Sequence, residues 1–153
     1  MIETSTKGEC AVRVRDSILI ARDPADVFEF VTDPANDRRW RSLLTGSRAS
    51  AEAPAVGSRV WQSYSYQGHA AEVELEVTES VPPERIRYRA LGKVKASAEF
   101  SFRAEDGCTR FAVSLTGEIP GFAALFASRI ERELSAALKT DLARLKSMLE
   151  TRQ

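Results

Sequence analysis

ILIARDPADVFEFVTDPANDRRWRSLL, residues 18–44, runs an alternating strand into two short capped helices that end on a tryptophan. Asp23 can cap a helix that opens at Pro24, and Asp33 with Pro34 repeats the start signal ten residues later. Helices this short cannot bury Val27, Phe28, Phe30 and Val31, or Trp40, Leu43 and Leu44, against each other alone. They need a larger apolar partner, and the helical pattern at 122–149 supplies one.

On either side of this stretch the chain reads as strands. Residues 10–21 place Val12, Val14, Ile18 and Ile20 on one face and Arg13, Arg15 and Ser17 on the other, with Asp16 interrupting the apolar face. A weak strand is expected at 45–53, followed by a turn at 54–58. Residues 59–66 then put Val60, Gln62, Tyr64 and Tyr66 on one side and Trp61, Ser63 and Ser65 on the other. Gly68 reverses the chain and leaves His69 in an exposed hairpin.

In 71–79, Val73, Leu75 and Val77 alternate with Glu72, Glu74 and Glu76, the pattern of an antiparallel strand with one covered face. Pro82 and Pro83 end it, and Ile86, Tyr88 and Ala90 then alternate with Arg85, Arg87 and Arg89. Glutamates and arginines on these outer faces are expected to pair across strands, each pair contributing roughly 0.2–1 kcal/mol. Residues 93–103 turn Val94, Ala96, Ala98, Phe100 and Phe102 inward, and 109–117 do the same with Phe111, Val113 and Leu115. Strands that follow one another without helices between them form an antiparallel meander.

The final helix is expected over 121–150, about 45 Å at 1.5 Å per residue. Phe122, Phe126, Ile130, Leu134, Leu138 and Leu142 recur every four residues, with Leu125, Leu145, Met148 and Leu149 beside them. A four-residue recurrence drifts about 40° per step around a 3.6-residue helix, so the stripe winds as it would across a strongly curved sheet. Arg129, Glu133 and Asp141 break any heptad.

A length of 153 residues fits one domain. Basic and acidic residues number 22 each, and the resulting zero net charge offers nothing to nucleic acid or an anionic membrane. No apolar run approaches the ~20 residues of a transmembrane segment, and MIETSTKGEC lacks the apolar core of a secretory signal, so a cytoplasmic location is expected. Cys10 and Cys108 have no zinc-type spacing, and His69 is the sole histidine, so neither a metal nor a cofactor is expected.

In order, DSILIARDPADVFEFVTD at 16–33, Trp40, VGSRV at 56–60, VTESVPPERIRYRA at 77–90, GCTRF at 107–111 and DLARLKSMLE at 141–150 resemble the START-related SRPBCC superfamily, particularly its polyketide cyclase/dehydrase-like branch. The resemblance covers 16–150. It implies an α+β helix-grip fold: a seven-stranded curved antiparallel sheet around a long C-terminal helix, with two short helices between strands 1 and 2. It also implies that strands 1 and 7 pair antiparallel. Cys10 and Cys108 would then sit at opposite ends of that pair, roughly 30 Å apart, as free thiols.

For function, the resemblance implies a bulky apolar or aromatic molecule held between sheet and helix. Members range from lipid carriers and quinone-binding proteins to aromatic polyketide cyclases, hormone receptors and co-chaperone domains, and fold does not choose among them. The small Ala90, Ala96 and Ala98 favour a cavity, with Val73, Leu75, Ala96, Ala98, Phe100, Phe126 and Ile130 as apolar lining. Gln62, Tyr64, Tyr66, Tyr88, Arg129 and Glu133 are the polar candidates for orienting a ligand.

Each polar candidate has a structural alternative. The tyrosines can be core rings with hydroxyls reaching solvent or a carbonyl, and Arg129 with Glu133 can be a solvent-facing pair four residues apart. Trp40 can be a ligand platform or, as the favoured reading, a wedge packing the short helices on the final one. Asp16 and Asp141 each need a hydrogen-bond partner if buried. The expected function is binding or transport of a hydrophobic small molecule, a lipid, quinone or polyketide-like compound, by a monomer or homodimer. The alternative is a polyketide cyclase/dehydratase-type enzyme, for which tyrosines and Arg129 could donate but no strong base is evident.

Overall fold

Period-two alternation gives seven strands: β1 (Glu9–Ile20), β2 (Leu44–Ala49), β3 (Arg59–Tyr66), β4 (His69–Val81), β5 (Arg85–Ala90), β6 (Ala96–Glu105) and β7 (Cys108–Pro120). This computed structural model describes residues 9–51, 54–93 and 95–151. The first residues, 1–8, the end of the expected second strand at 52–53, Val94, and the side chains of Cys10 and Phe122 lie outside the described residues.

Every neighbouring pair is antiparallel, in the order β1-β7-β6-β5-β4-β3-β2. β1 and β2 therefore form opposite edges, and the chain passes from one to the other through α1 (Pro24–Thr32) and α2 (Pro34–Trp40). The Asp33 side chain caps α2 by accepting from the Ala35 N–H at 3.0 Å. Asp23 departs from expectation: its side chain makes no cap bond, and its backbone carbonyl takes the Asp26 and Val27 N–H groups at 3.0 and 3.1 Å. The β3–β4 reversal runs through Gln67 and Gly68 at φ 50° and 79°, a left-handed pair that glycine adopts without strain. His69 follows it, exposed, as the first residue of β4.

On the outer face Arg89 meets Glu76, its register partner, at 2.6 Å. The rest of the expected ladder is rearranged. A register shift between Val77 and Glu79 lets Glu79 take both Arg85 (2.7 Å) and Arg87 (3.2 Å), while Glu74 turns back to Arg59 on β3 at 2.7 Å.

The final helix is shorter than expected. After β7 the chain makes a 3-10 turn over Gly121–Phe126, and α3 spans Ala127–Thr151, 25 residues or about 37 Å. The tighter pitch of that turn rotates Leu125 and Phe126 off the stripe, leaving them 79% and 54% exposed. Farther along, Leu138, Leu142, Leu145 and Leu149 join the core with Val14, Ile20, Val27, Phe30, Trp40 and Phe111. Side chains of α3 also cover the β1 edge: Glu131 accepts from the Arg13 N–H (2.9 Å), Glu150 accepts from the Ala21 N–H (2.8 Å), and Lys146 donates to the Leu19 carbonyl (2.7 Å). No helix among the described residues is long and apolar enough to cross a membrane.

The β1–β7 register pairs Cys10 with Ile119 and Ile20 with Thr109, so Cys108 lies at the far end of the pair, where it is a free thiol. Eleven strand steps separate the two positions, roughly 36 Å against a bridging limit of about 7 Å. Titration under denaturing, non-reducing conditions should count two thiols per chain. Zero thiols in a monomer would contradict the register.

Candidate functional site

The inward faces of β3 to β7, the end of α1, α2 and the middle of α3 line a cavity of about 390 Å³. Period two delivers its floor: Val60, Gln62, Tyr64 and Tyr66 from β3, Val73 and Leu75 from β4, Tyr88 from β5, and Ala96, Ala98 and Phe100 from β6. Ile130, Leu134, Ala137 and Leu138 form the roof. The space exists because Ala96 and Ala98 lie beneath the helix, which presents Ala137 at the same cavity. Its size suits a small ligand.

Phe126, Arg129 and Glu133 do not line it. Phe126 precedes α3, in the 3-10 turn. Arg129 pairs with Glu133 at 3.1 Å on the exposed side of the helix, the solvent-facing arrangement. Glu133 also accepts from the Tyr66 hydroxyl and from the Gln67 amide (2.8 Å), tying the β3–β4 hairpin to α3. The Tyr66 hydrogen bond, followed by that from Arg129, holds the Glu133 carboxyl below its usual range.

The other candidates take structural positions. Trp40 is buried with its ring edge-on to Phe111, centroids 6.1 Å apart, and it does not line the cavity. Asp16 accepts from the Ser17 N–H at 2.8 Å, and Asp141 from the Ser42 N–H at 3.1 Å, which fastens the exit of α2 to α3, although Asp141 also lines the cavity. Among the described residues no group of three or more His, Cys, Asp and Glu is placed to hold a metal ion.

One end of the cavity is polar, and α2 builds it. Asp37 is only 7% exposed. Its Oδ2 accepts from Ser47 Oγ at 2.7 Å, and the Gln62 side chain is a second hydrogen-bond partner. Gln62 Oε1 accepts from the Tyr64 hydroxyl at 2.5 Å, whose oxygen faces Arg41 Nη2 at 3.4 Å. The Arg41 guanidinium also lies 5.7 Å from the Tyr64 ring centroid.

Burial pushes the Asp37 carboxyl up to about 6, against the opposing pull of Ser47, Arg41 and Gln62. Burial works against the charge on Arg41, but Tyr64, Asp37 and Asp141 outweigh it, so the guanidinium stays charged. Burial, reinforced by Asp37, raises the Tyr88 hydroxyl far above its usual range, which makes it a neutral donor. Sequence reasoning missed Asp37 and Arg41, although a signal exists. Asp37 precedes the buried Trp40 by three residues and so shares its helix face, and Arg41 follows Asp37 by one turn.

A seven-stranded antiparallel sheet gripping a C-terminal helix, with an apolar cavity between them, defines the helix-grip, or SRPBCC, class of protein. Within that class the chain belongs to the family described as polyketide cyclase / dehydrase and lipid transport, whose profile matches residues 11–150. No curated protein matches it. Among solved structures, TTHA0849 from Thermus thermophilus is similar at 19% identity and a TM-score of 0.75, over 90% of this chain and 96% of that one. The di-domain ARO/CYC protein BexL from the BE-7585A biosynthetic pathway matches at 18% identity and a TM-score of 0.74, over 94% of this chain and 51% of BexL. Ara h 8.0201 matches at 11% identity and a TM-score of 0.70, over 94% of this chain and 100% of that one. At these identities the likeness is one of fold.

Proposed function

We propose that the protein binds or transports a hydrophobic small molecule, of lipid, quinone or polyketide-like type, in the cavity between α3 and the sheet. The observation that carries this reading is a space of about 390 Å³ lined mainly by apolar side chains, with a polar cluster around Asp37 at one end. A ligand there gains about 25 cal/mol for each Å² of apolar surface removed from water. Membership of a family described by lipid transport as well as cyclase chemistry supports it.

Calorimetry against a panel of quinones, aromatic polyketides and fatty acids tests the proposal. Ala98→Phe should abolish binding while circular dichroism shows the fold retained, because the added ring takes the ligand's space. His69→Ala, on the exposed hairpin, should bind as the unmodified protein does. Failure of every panel member to bind the unmodified protein would defeat the reading.

Asp37 favours a second reading, a cyclase/dehydratase-type enzyme. A buried carboxyl titrating near 6 can exchange a proton at neutral pH, and Arg41 and Tyr88 can stabilise a developing oxyanion. Turnover of a poly-β-ketone that disappears in Asp37→Asn, with binding retained, would establish the enzyme.

A further inference from the structure

We propose that the Asp37–Arg41–Tyr88 end of the cavity recognises a hydroxyl group on the ligand, phenolic or enolic, so that the occupant is an apolar ring system bearing one such oxygen. Recognition of this kind rests on the cavity being a ligand site, as proposed above, and specifies which chemistry the site selects.

Donors and acceptors at this end are not used up by one another. An ionised carboxylate has about four lone-pair sites. Ser47 and Gln62 occupy two on Asp37, and no further hydrogen bond reaches it among the described residues. The single proton of Tyr64 goes to Gln62, so Tyr64 has none to give a ligand. Arg41 carries five N–H donors, and only the contact with Tyr64, at 3.4 Å, engages one with a side chain among the described residues. The Tyr88 hydroxyl, which borders the same space and interacts with both Asp37 and Arg41, makes no hydrogen bond among the described residues. The site therefore presents an acceptor next to donors with capacity to spare, in surroundings where polar groups gain most from a partner.

Candidate ligand groups differ in how they meet that arrangement. A hydrocarbon leaves both the acceptor and the donors unused. A carbonyl oxygen meets the donors alone. A carboxylate could pair with Arg41, but Asp37 already faces that guanidinium from α2 and Asp141 from α3, so a third negative charge is opposed. A hydroxyl can donate to Asp37 and accept from Arg41 or Tyr88 at once. The remaining groups facing Asp37 are Asp33 at the start of α2, Ser47 on β2 and Gln62 on β3, and Asp33 adds to the opposition against an anion.

Three probes of similar shape separate these cases: 1-naphthol, 1-methylnaphthalene and 1-naphthoate, titrated at pH 7.5 into the full chain and into Asp37→Asn. A hydrogen bond to a charged group contributes roughly 1.5–3 kcal/mol, so 1-naphthol should bind about ten-fold or more tighter than either of the others. In Asp37→Asn the naphthol-to-methylnaphthalene affinity ratio should fall several-fold without reaching one, because the charged acceptor is lost while the donors on Arg41 and Tyr88 remain. Tyr88→Phe gives an independent check, with a smaller drop in the same ratio. Equal affinity of the unmodified protein for all three probes would overturn the hydroxyl site and leave the carrier reading standing. Tightest binding of 1-naphthoate would overturn it in favour of a simple anion site on Arg41. Binding of none of the three would defeat the cavity as an aromatic-ligand site, and the hydroxyl site with it.

Discussion

Replacing Phe111 with alanine should cost about 3–5 kcal/mol of folding stability, read as a lower midpoint in urea unfolding. Phe111 is fully buried on β7, where it pairs across the sheet with Ile18 on β1 and Phe102 on β6. Its ring stacks on Phe102 with centroids 5.1 Å apart and meets Phe100 and Trp40 edge-on at 5.6 and 6.1 Å. Each such aromatic pair adds roughly 0.5–1.5 kcal/mol beyond burial alone. Truncation thus opens a hole where α2, β6 and β7 meet, in a domain whose total stability is on the order of 5–15 kcal/mol. Trp40→Phe supplies the contrast. It keeps a ring on Phe111 and removes an indole Nε1 that is buried without a partner among the described residues, so a loss under about 1.5 kcal/mol is expected. A Phe111→Ala loss below about 2 kcal/mol would mean that the surrounding rings collapse into the space.

The contrast between these rings and the polar site shows what a sequence makes legible. Phe100, Phe102, Phe111 and Val113 declare themselves because strand alternation is strict, and one register assigns every second residue to the same face. The same rule puts Gln62, Tyr64, Tyr66 and Tyr88 on the cavity side, where the structure has them. Two features break the rule for physical reasons. The register shift at Val77/Glu79 exchanges charge partners without altering residue types, so it leaves no trace in the pattern. Phe126 fits a four-residue recurrence perfectly well, but the chain there turns with about three residues per turn, and the recurrence then describes the wrong geometry.

Asp37 and Arg41 are harder to single out for a different reason, because the helical spacing that ties Asp37 to Trp40 competes with ordinary helix-end roles. In a helix of seven residues, DPANDRRW carries its start signal, its acidic first turn and its basic last turn, and these roles fully account for the charges. Only the tertiary position of α2, laid over the cavity between the two sheet edges, turns one charged face inward. A buried charge is an exception to the ordinary distribution of residues, and local propensity contains no term for it.

Asp37→Asn is therefore expected to make the protein more stable at neutral pH. The folded state raises this carboxyl from 3.8 to about 6, so the folded form holds a proton more readily than the unfolded form does. Well below 3.8 both states are protonated and the group carries no penalty. Between about 4 and 6 its ionisation, opposed by burial, takes stability away as the pH rises, and above 6 the full penalty is in place, on the order of 3 kcal/mol. Asparagine has no charge to bury and keeps an acceptor for Ser47. Its amide, however, turns N–H groups toward the Gln62 amide, and a Gln62 flip would break the bond from Tyr64, which costs back roughly 1 kcal/mol. The net gain should be about 2 kcal/mol at pH 8 and should turn into a loss of about 1 kcal/mol at about pH 3, where Asp37 is largely protonated in both states and only the cost of the broken hydrogen bond remains. Urea unfolding of the two proteins at those two pH values measures it. A variant less stable than the parent at pH 8 would show that the hydrogen bonds to Ser47 and Gln62 outweigh desolvation, and the site would then be a structural anchor. A gain at pH 8 marks a carboxylate held at the expense of folding stability, the trade expected of the ligand role proposed above for Asp37.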